Sequence, residues 1–251
     1  MDAPFIEFRD VKKAFGERSI YDGLSLSVRR GETLTIVGGS GSGKSVLLKM
    51  LIGLLKPDSG AILFDGVDVA RASEEELLPV RRRISMLFQG GALFDSMSVS
   101  GNIAYPLRVQ GLLGEDAIAA RVGEVLSEVG LSGSEALSPD ELSGGMKKRV
   151  ALARAIASKP EVVLYDEPTT GLDPITTRRI VELISAIHER AKTTAIVVTH
   201  DLASAFFVSS RVAMLSERRT SMVLPVEEFR RSSDPAIREF ISAMPMAEVA
   251  P

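Results

Sequence analysis

The run Gly38-Gly39-Ser40-Gly41-Ser42-Gly43-Lys44-Ser45 constrains this chain more than any other eight residues. Its spacing is Gly, four residues, then Gly-Lys-Ser, and it stands between the dense apolar positions Leu34, Ile36 and Val37 and a helical pattern that begins near Ser45. Four glycines let the backbone turn so that successive N–H groups face one anion, and the start of the following helix adds positive potential there. Lys44 then reaches the outer phosphates of a nucleotide, and the Ser45 hydroxyl is a ligand for Mg²⁺. A glycine-rich turn before a helix is the plain alternative, but strand, loop and helix in this order are the context a phosphate loop requires. A buried parallel strand feeding a helix sets the expected class as α/β.

Residues 5–11, 24–28 and 61–64 are short strand signals separated by Gly or Asp-Gly turns. Leu26 and Val28 alternate with Ser25 and Ser27, as in a half-exposed antiparallel strand. From Ser73 to Ala157 the texture turns helical: Ser73 with three glutamates is a helix start, and residues 115–129 carry Ile118, Val122, Val125, Leu126 and Val129 at helical spacing. Residues 162–165, a helix from 174 to about 190, and residues 195–198 return to the strand–helix–strand order of a parallel sheet. The expectation is one unit over residues 1–243: a mixed sheet core, an antiparallel β subdomain and an inserted helical subdomain at about 90–158. Residues 244–251 are expected as a tail, either disordered or ordered by a partner.

Composition excludes several classes. A net charge of −3 argues against nucleic acid as a partner, since phosphate tracking needs Lys and Arg in excess. The absence of cysteine removes disulfides, thiolate metal sites and Cys nucleophiles. The most apolar stretches, residues 46–55 and 194–215, are broken by Lys49 and by His200, Asp201 and Arg211, so neither offers about 18 consecutive apolar residues for a bilayer. With acidic Asp2, Glu7 and Asp10 at its start, the chain is expected in the cytoplasm, touching a membrane only through a partner.

Two further segments carry chemistry. Val162-Val163-Leu164-Tyr165-Asp166-Glu167 ends an apolar strand on two adjacent carboxylates, at the edge where parallel sheets meet ligands. Asp166 can serve Mg²⁺ through its water shell and Glu167 can polarise an attacking water, the alternative being a solvated turn before Pro168. Leu142-Ser143-Gly144-Gly145-Met146 is a second Ser-Gly-Gly nest opening a helix. One nucleotide does not need two such nests.

In the order phosphate loop, Leu-Ser-Gly-Gly, Asp-Glu strand, the sequence resembles the ABC ATPase family over residues 5–216. The resemblance implies the P-loop NTPase fold of that family, ATP and Mg²⁺ as ligands, and Mg²⁺-dependent hydrolysis with Glu167, His200, Gln89 and Lys44 as the catalytic set. It implies ATP held by Phe15 stacked on adenine and by Gly38, Gly39, Ser40, Gly41, Ser42, Gly43, Lys44 and Ser45. Mg²⁺ would be held by Ser45, Gln89 and, through water, Asp166. It also implies a head-to-tail homodimer in the ATP-bound state: Leu142, Ser143, Gly144, Gly145 and Met146 close on the partner's ATP, and Asp173 lies in the loop through which the subunits communicate. An integral membrane permease would be the coupled partner. Met146, where most members carry Gln, residues 88–95, 102–107 and 240–244 resemble the Mla-type ATPases that energise bacterial phospholipid transport with MCE-domain proteins, which implies a peripheral position on the cytoplasmic face of the inner membrane. Another ABC importer or exporter subunit, or a soluble ABC ATPase, is the alternative. His188, in a polar stretch, is expected to be solvated. Leu93, Phe94, Met97 and Val99 are expected either to receive a permease helix or to pack within the helical insert.

Overall fold

The computed structural model describes residues 3–216 and 218–243, so the expected tail at 244–251 lies outside the described residues. Two sheets organise the chain. The first is antiparallel, in the order β2 (Arg18–Val28), β1 (Ile6–Phe15), β4 (Ser59–Phe64), β5 (Val67–Asp68). β1 continues past the expected end at residue 11 and delivers Phe15 at its last position.

The second sheet has the order β10 (Arg219–Pro225), β9 (Arg211–Ser216), β3 (Thr33–Val37), β8 (Thr194–Val198), β7 (Val162–Asp166), β6 (Ile84–Leu87). All pairings are parallel except the β9–β10 edge. Every residue of β3, β7 and β8 is buried, as expected for parallel strands covered on both faces. Alternation divides their side chains. Val162, Leu164, Ile196 and Val198 join the core formed with the antiparallel sheet and α1 (Lys44–Leu51). Val163, Tyr165, Ala195 and Val197 join a second core with α3 (Val99–Gln110), α4 (Glu115–Glu128), α5 (Gly144–Ala157) and α6 (Pro174–Ala191). A third, smaller core joins Val37 and Val212 to α7 (Leu202–Val208), α8 (Val226–Arg231) and α9 (Pro235–Ser242).

The helix at Ser73 forms as expected, as α2 (Glu74–Arg83) with a reciprocal capping box between Ser73 and Glu76. The stretch from Ser73 to Ala157 is not uniformly helical, however. β6 interrupts it and pairs with β7; at four residues it is shorter than any period that could announce it. The apolar stretch near Phe94 divides: Val99 is fully buried and Leu93 packs on the helical core, whereas Phe94 is 40% exposed and stacks on Tyr105 with ring centroids 4.8 Å apart.

His188 corrects the expectation of a solvated residue. It is 7% exposed, with Nε2 2.9 Å from the Tyr165 hydroxyl and Nδ1 2.5 Å from the Thr193 hydroxyl. α6 turns this position onto Tyr165, and flanking charges in the sequence conceal it. Burial pushes the imidazole down from 6.5 to about 4. Because the folded pKa lies below the unfolded one, the unfolded chain binds the extra proton, and stability is full above the unfolded value and lost as pH falls toward the folded one. Between about pH 7 and about pH 5 the wild type should lose about 2 kcal/mol through this group. Urea unfolding at the two pH values should show that loss shrinking in His188→Asn.

Candidate functional site

Four loops gather at the carboxyl edge of the parallel sheet. The glycine loop follows β3, Gln89 follows β6, Asp166 ends β7 with Glu167 directly after it, and His200 lies just past β8. This is the edge at which open α/β sheets receive ligands. Phe15 enters from the antiparallel sheet. Phe15, residues 40–45, Gln89, Glu167 and His200 line a cleft of about 670 Å³, the size of a small-molecule site. Gly38, Gly39 and Asp166 do not line it, and Asp166 is joined to it through its bond with Ser45.

Inside the cleft the charges are held apart. Lys44 is 8% exposed and folds back so that Nζ donates to the carbonyls of Gly38 at 2.9 Å and Gly39 at 3.2 Å, standing 3.9 Å from Glu167 Oε1. Burial is the largest influence on its ammonium and pulls the pKa down, against the pull of Glu167 and Asp166. Ser45 Oγ donates to Asp166 Oδ1 at 2.7 Å. Burial raises the Asp166 carboxyl above its ordinary value, more than the Ser45 bond lowers it. A cation added beside this hydroxyl–carboxylate pair offsets that desolvation. Among the described residues no trio of His, Cys, Asp or Glu forms a metal cage by itself. The donors therefore fit an ion that also takes oxygens from a phosphate, which is how Mg²⁺ is commonly bound. Ser42 Oγ is buried with no partner among the described residues.

Glu167 has φ 49°, the left-handed region, which costs a residue with a side chain about 1 kcal/mol or more. Its surroundings enforce the conformation. The backbone N–H donates to Val198 O at 2.9 Å, and Oε2 accepts from Thr170 Oγ1 at 3.2 Å and Thr199 Oγ1 at 3.4 Å, with His200 Nδ1 at 2.9 Å.

Leu142 to Met146 and Asp173 do not join this cleft. Ser143, Gly144 and Gly145 line a separate one of about 400 Å³ with Gly171, Leu172 and Asp173, and the two share no lining residue. Ser143 caps α5 by accepting from Met146 N at 3.3 Å. Asp173 caps α6, accepting from Ile175 N and Thr176 N, both at 3.0 Å. A Cβ on Gly145 would lie 2.6 Å from Thr176 Cγ2, so any larger residue there would have to displace the Thr176 side chain. Leu142 is buried and Met146 packs on the helical core, so neither lines the second cleft.

Several contributors escaped sequence reasoning. Arg18 and Ile20 line the first cleft, Tyr21 Oη donates to Gly43 O at 2.6 Å, and Lys148 places Nζ on the carbonyls of Gln89 and Glu167. Lys148 stands in the run Met146-Lys147-Lys148-Arg149, where nothing in the spacing separates it from its charged neighbours.

The family model described as "ABC transporter" matches residues 21–170. The chain is 40% identical over 242 residues to the intermembrane phospholipid transport system ATP-binding protein MlaF of Escherichia coli (strain K12), covering 96% of this chain and 90% of that protein. It is 41% identical over 237 residues to the probable ribonucleotide transport ATP-binding protein mkl of Mycobacterium leprae (strain TN), covering 94% and 68%. Among solved structures it is similar to the ATP-binding cassette MJ0796 in a dimeric post-hydrolysis state bound to ADP and Pi, with TM-score 0.80 and 30% identity over 88% of this chain and 98% of that one.

The glycine loop yields a contrast. Gly43 has φ 99°, and a Cβ there would stand 2.6 Å from Ile20 Cγ2 and 2.9 Å from Tyr21 Oη, whereas a Cβ on Gly39 meets nothing within 4 Å. Gly43→Ala should lower the melting temperature by about 4 °C or more through strain and contact. Gly39→Ala should stay within about 1 °C of wild type in the same thermal scan.

Proposed function

This chain belongs to the ABC transporter family as an ATP-binding, ATP-hydrolysing subunit, and we propose that the work it drives is phospholipid transport between bacterial membranes. One observation carries the residue roles: Phe15, Lys44, Ser45, Glu167 and His200 line one cleft, with Asp166 bonded to Ser45, while Ser143 to Gly145 line another.

In the proposed reaction Phe15 stacks on adenine, and the amides of residues 38–45 with the Lys44 ammonium hold the phosphates and the charge that grows on them. Mg²⁺, when bound, neutralises phosphate oxygens; Ser45, Gln89 and, through water, Asp166 are the residues to hold it. Glu167 orients a water for in-line attack on the terminal phosphorus and accepts its proton. Its carboxylate is already fixed by Thr170, Thr199 and His200, so little reorganisation is needed when water arrives. His200 contacts the terminal phosphate from the same side.

The second cleft lies outside the first, so Ser143 and its neighbours act on ATP held by another copy, and Asp173 beside them reports across that boundary. The proposed unit is therefore a head-to-tail homodimer that closes on ATP and reopens after hydrolysis. The dimeric state of the MJ0796 cassette supports this arrangement. No described helix is long and apolar enough to cross a membrane; the chain is proposed to sit on the cytoplasmic face of the inner membrane through a permease, with Phe94 and Tyr105 exposed as part of the receiving surface. An MCE-domain lipid-binding protein belongs to the same proposal. The likeness to MlaF along 96% of the chain favours phospholipid as the substrate, and that to mkl makes a ribonucleotide the second candidate. Purifying the intact complex from membranes and extracting its bound small molecules decides between them: phospholipid is expected, and ribonucleotide without lipid overturns the assignment.

Glu167→Gln should bind ATP with affinity within about threefold of wild type, lose hydrolysis by about a hundredfold or more, and accumulate as an ATP-stabilised dimer in size-exclusion chromatography. Ser143→Arg, run beside it, should keep ATP binding by the monomer and lose both dimer and turnover. A fall of monomer binding in step with turnover would place Ser143 on its own subunit's nucleotide.

A further inference from the structure

Helix α5 starts in the second cleft and passes behind the first, and two of its cations end on the backbone of the segment that carries Gln89. Residues 88–98 form neither helix nor strand, and although turns within the segment satisfy the carbonyls of Phe88 and Phe94, those of Gln89, Gly91 and Ala92 take side-chain donors from α5. Arg154 donates to the carbonyls of Gly91 at 2.6 Å and Ala92 at 2.7 Å. Lys148, 7% exposed, bonds the carbonyl of Gln89 and lies 3.5 Å from that of Glu167. Its neighbour Arg149 turns to the carbonyls of Val129 and Gly130 instead. Lys148 does not line the cleft; it reaches Gln89, proposed to hold Mg²⁺, and Glu167, proposed to orient the attacking water, through their main chain.

We infer that Lys148 is a positioning residue for ATP hydrolysis: its ammonium ties the main chain of Gln89 to that of Glu167 and so fixes the spacing of both side chains relative to α5, whose N-cap is Ser143. An ammonium suits the task. It has three donors and no acceptor on a compact head, and its bonds to carbonyls are charge-assisted. Lys44 stands on the side-chain face of Glu167 and Lys148 on its main-chain face, so the strained residue is held between two buried cations. A shift of α5, from either cleft, moves Gln89 and Glu167 together. Arg154 supplies the internal comparison, since it grips the same segment without touching Glu167.

The inference rests on the proposed roles of Gln89 and Glu167 and is tested on the full chain by steady-state hydrolysis and equilibrium ATP binding. Lys148→Met, close in length without the charge, should lower kcat about tenfold or more while KM and ATP affinity stay within about threefold. Lys148→Arg should return kcat to within about threefold of wild type, and Arg154→Met should cost kcat less than Lys148→Met. Unchanged kcat in Lys148→Met, a parallel fall of affinity and kcat, or an equal loss in Arg154→Met would each overturn the assignment. Should thermal melting show Lys148→Met unfolded, Lys148→Gln, which keeps N–H donors without charge, is judged by the same criteria. Wild-type protein that fails to bind ATP would count against the nucleotide site itself, independently of Lys148.

Discussion

The structure depends on holding one buried ammonium and two buried carboxylates around a single cleft, where Lys44 and Glu167 meet only as a long ion pair at 3.9 Å. Unit charges about 4 Å apart attract by about 4 kcal/mol at an effective dielectric near 20, enough to close the site on itself. It stays open because each charge has another anchor. Lys44 rests on the Gly38 and Gly39 carbonyls, Asp166 on Ser45, and Glu167 on Thr170, Thr199 and His200. What remains is incompletely compensated charge facing a cleft that phosphate oxygens and a divalent cation can complete.

That arrangement is the reason for the sheet order. β8 lies between β3 and β7, so the loop after β3 and the carboxylates ending β7 stand far enough apart to leave a cleft, yet close enough for Ser45 to reach Asp166 across 121 residues of sequence. β8 itself delivers His200 and, through Val198 O, fixes the Glu167 amide. The antiparallel sheet has a separate task. It brings Phe15 to the mouth of the cleft and seats Tyr21 beneath the loop, where its hydroxyl meets Gly43 O.

Helix α5 gives the molecule its asymmetry. Its N-terminus opens onto the second cleft, its middle grips the backbone behind the first, and its apolar face forms the centre of the helical core. The two clefts share no lining residue, yet one helix touches both: Gly144 and Gly145 line the second, and Lys148 bonds the backbone of Gln89 and Glu167, which line the first. Within a single copy the clefts are separate, which suits the proposed pair of subunits.

The sequence by itself determined what is local. The spacing of residues 38–45 specified a glycine turn between a strand and a helix; the dense apolar runs within β3, β7 and β8 specified a covered parallel sheet; and Asp166 with Glu167 placed two carboxylates at its open edge. Glu167 and His200 were legible as candidates at the ends of apolar runs, whereas Phe15 and Gln89 were named only through the family resemblance. Tertiary structure alone decided which polar residues are buried and what they meet. His188 and Lys148 lie in charged stretches that read as solvated, yet α6 turns one onto Tyr165 and α5 turns the other onto Gln89 and Glu167. β6 is too short to carry a period, and Leu142 and Met146 face the helical core although their motif suggested a ligand surface. A backbone pattern is encoded by near neighbours, whereas the surroundings of a side chain are set by elements that may lie a hundred residues away and meet it only when the sheet closes.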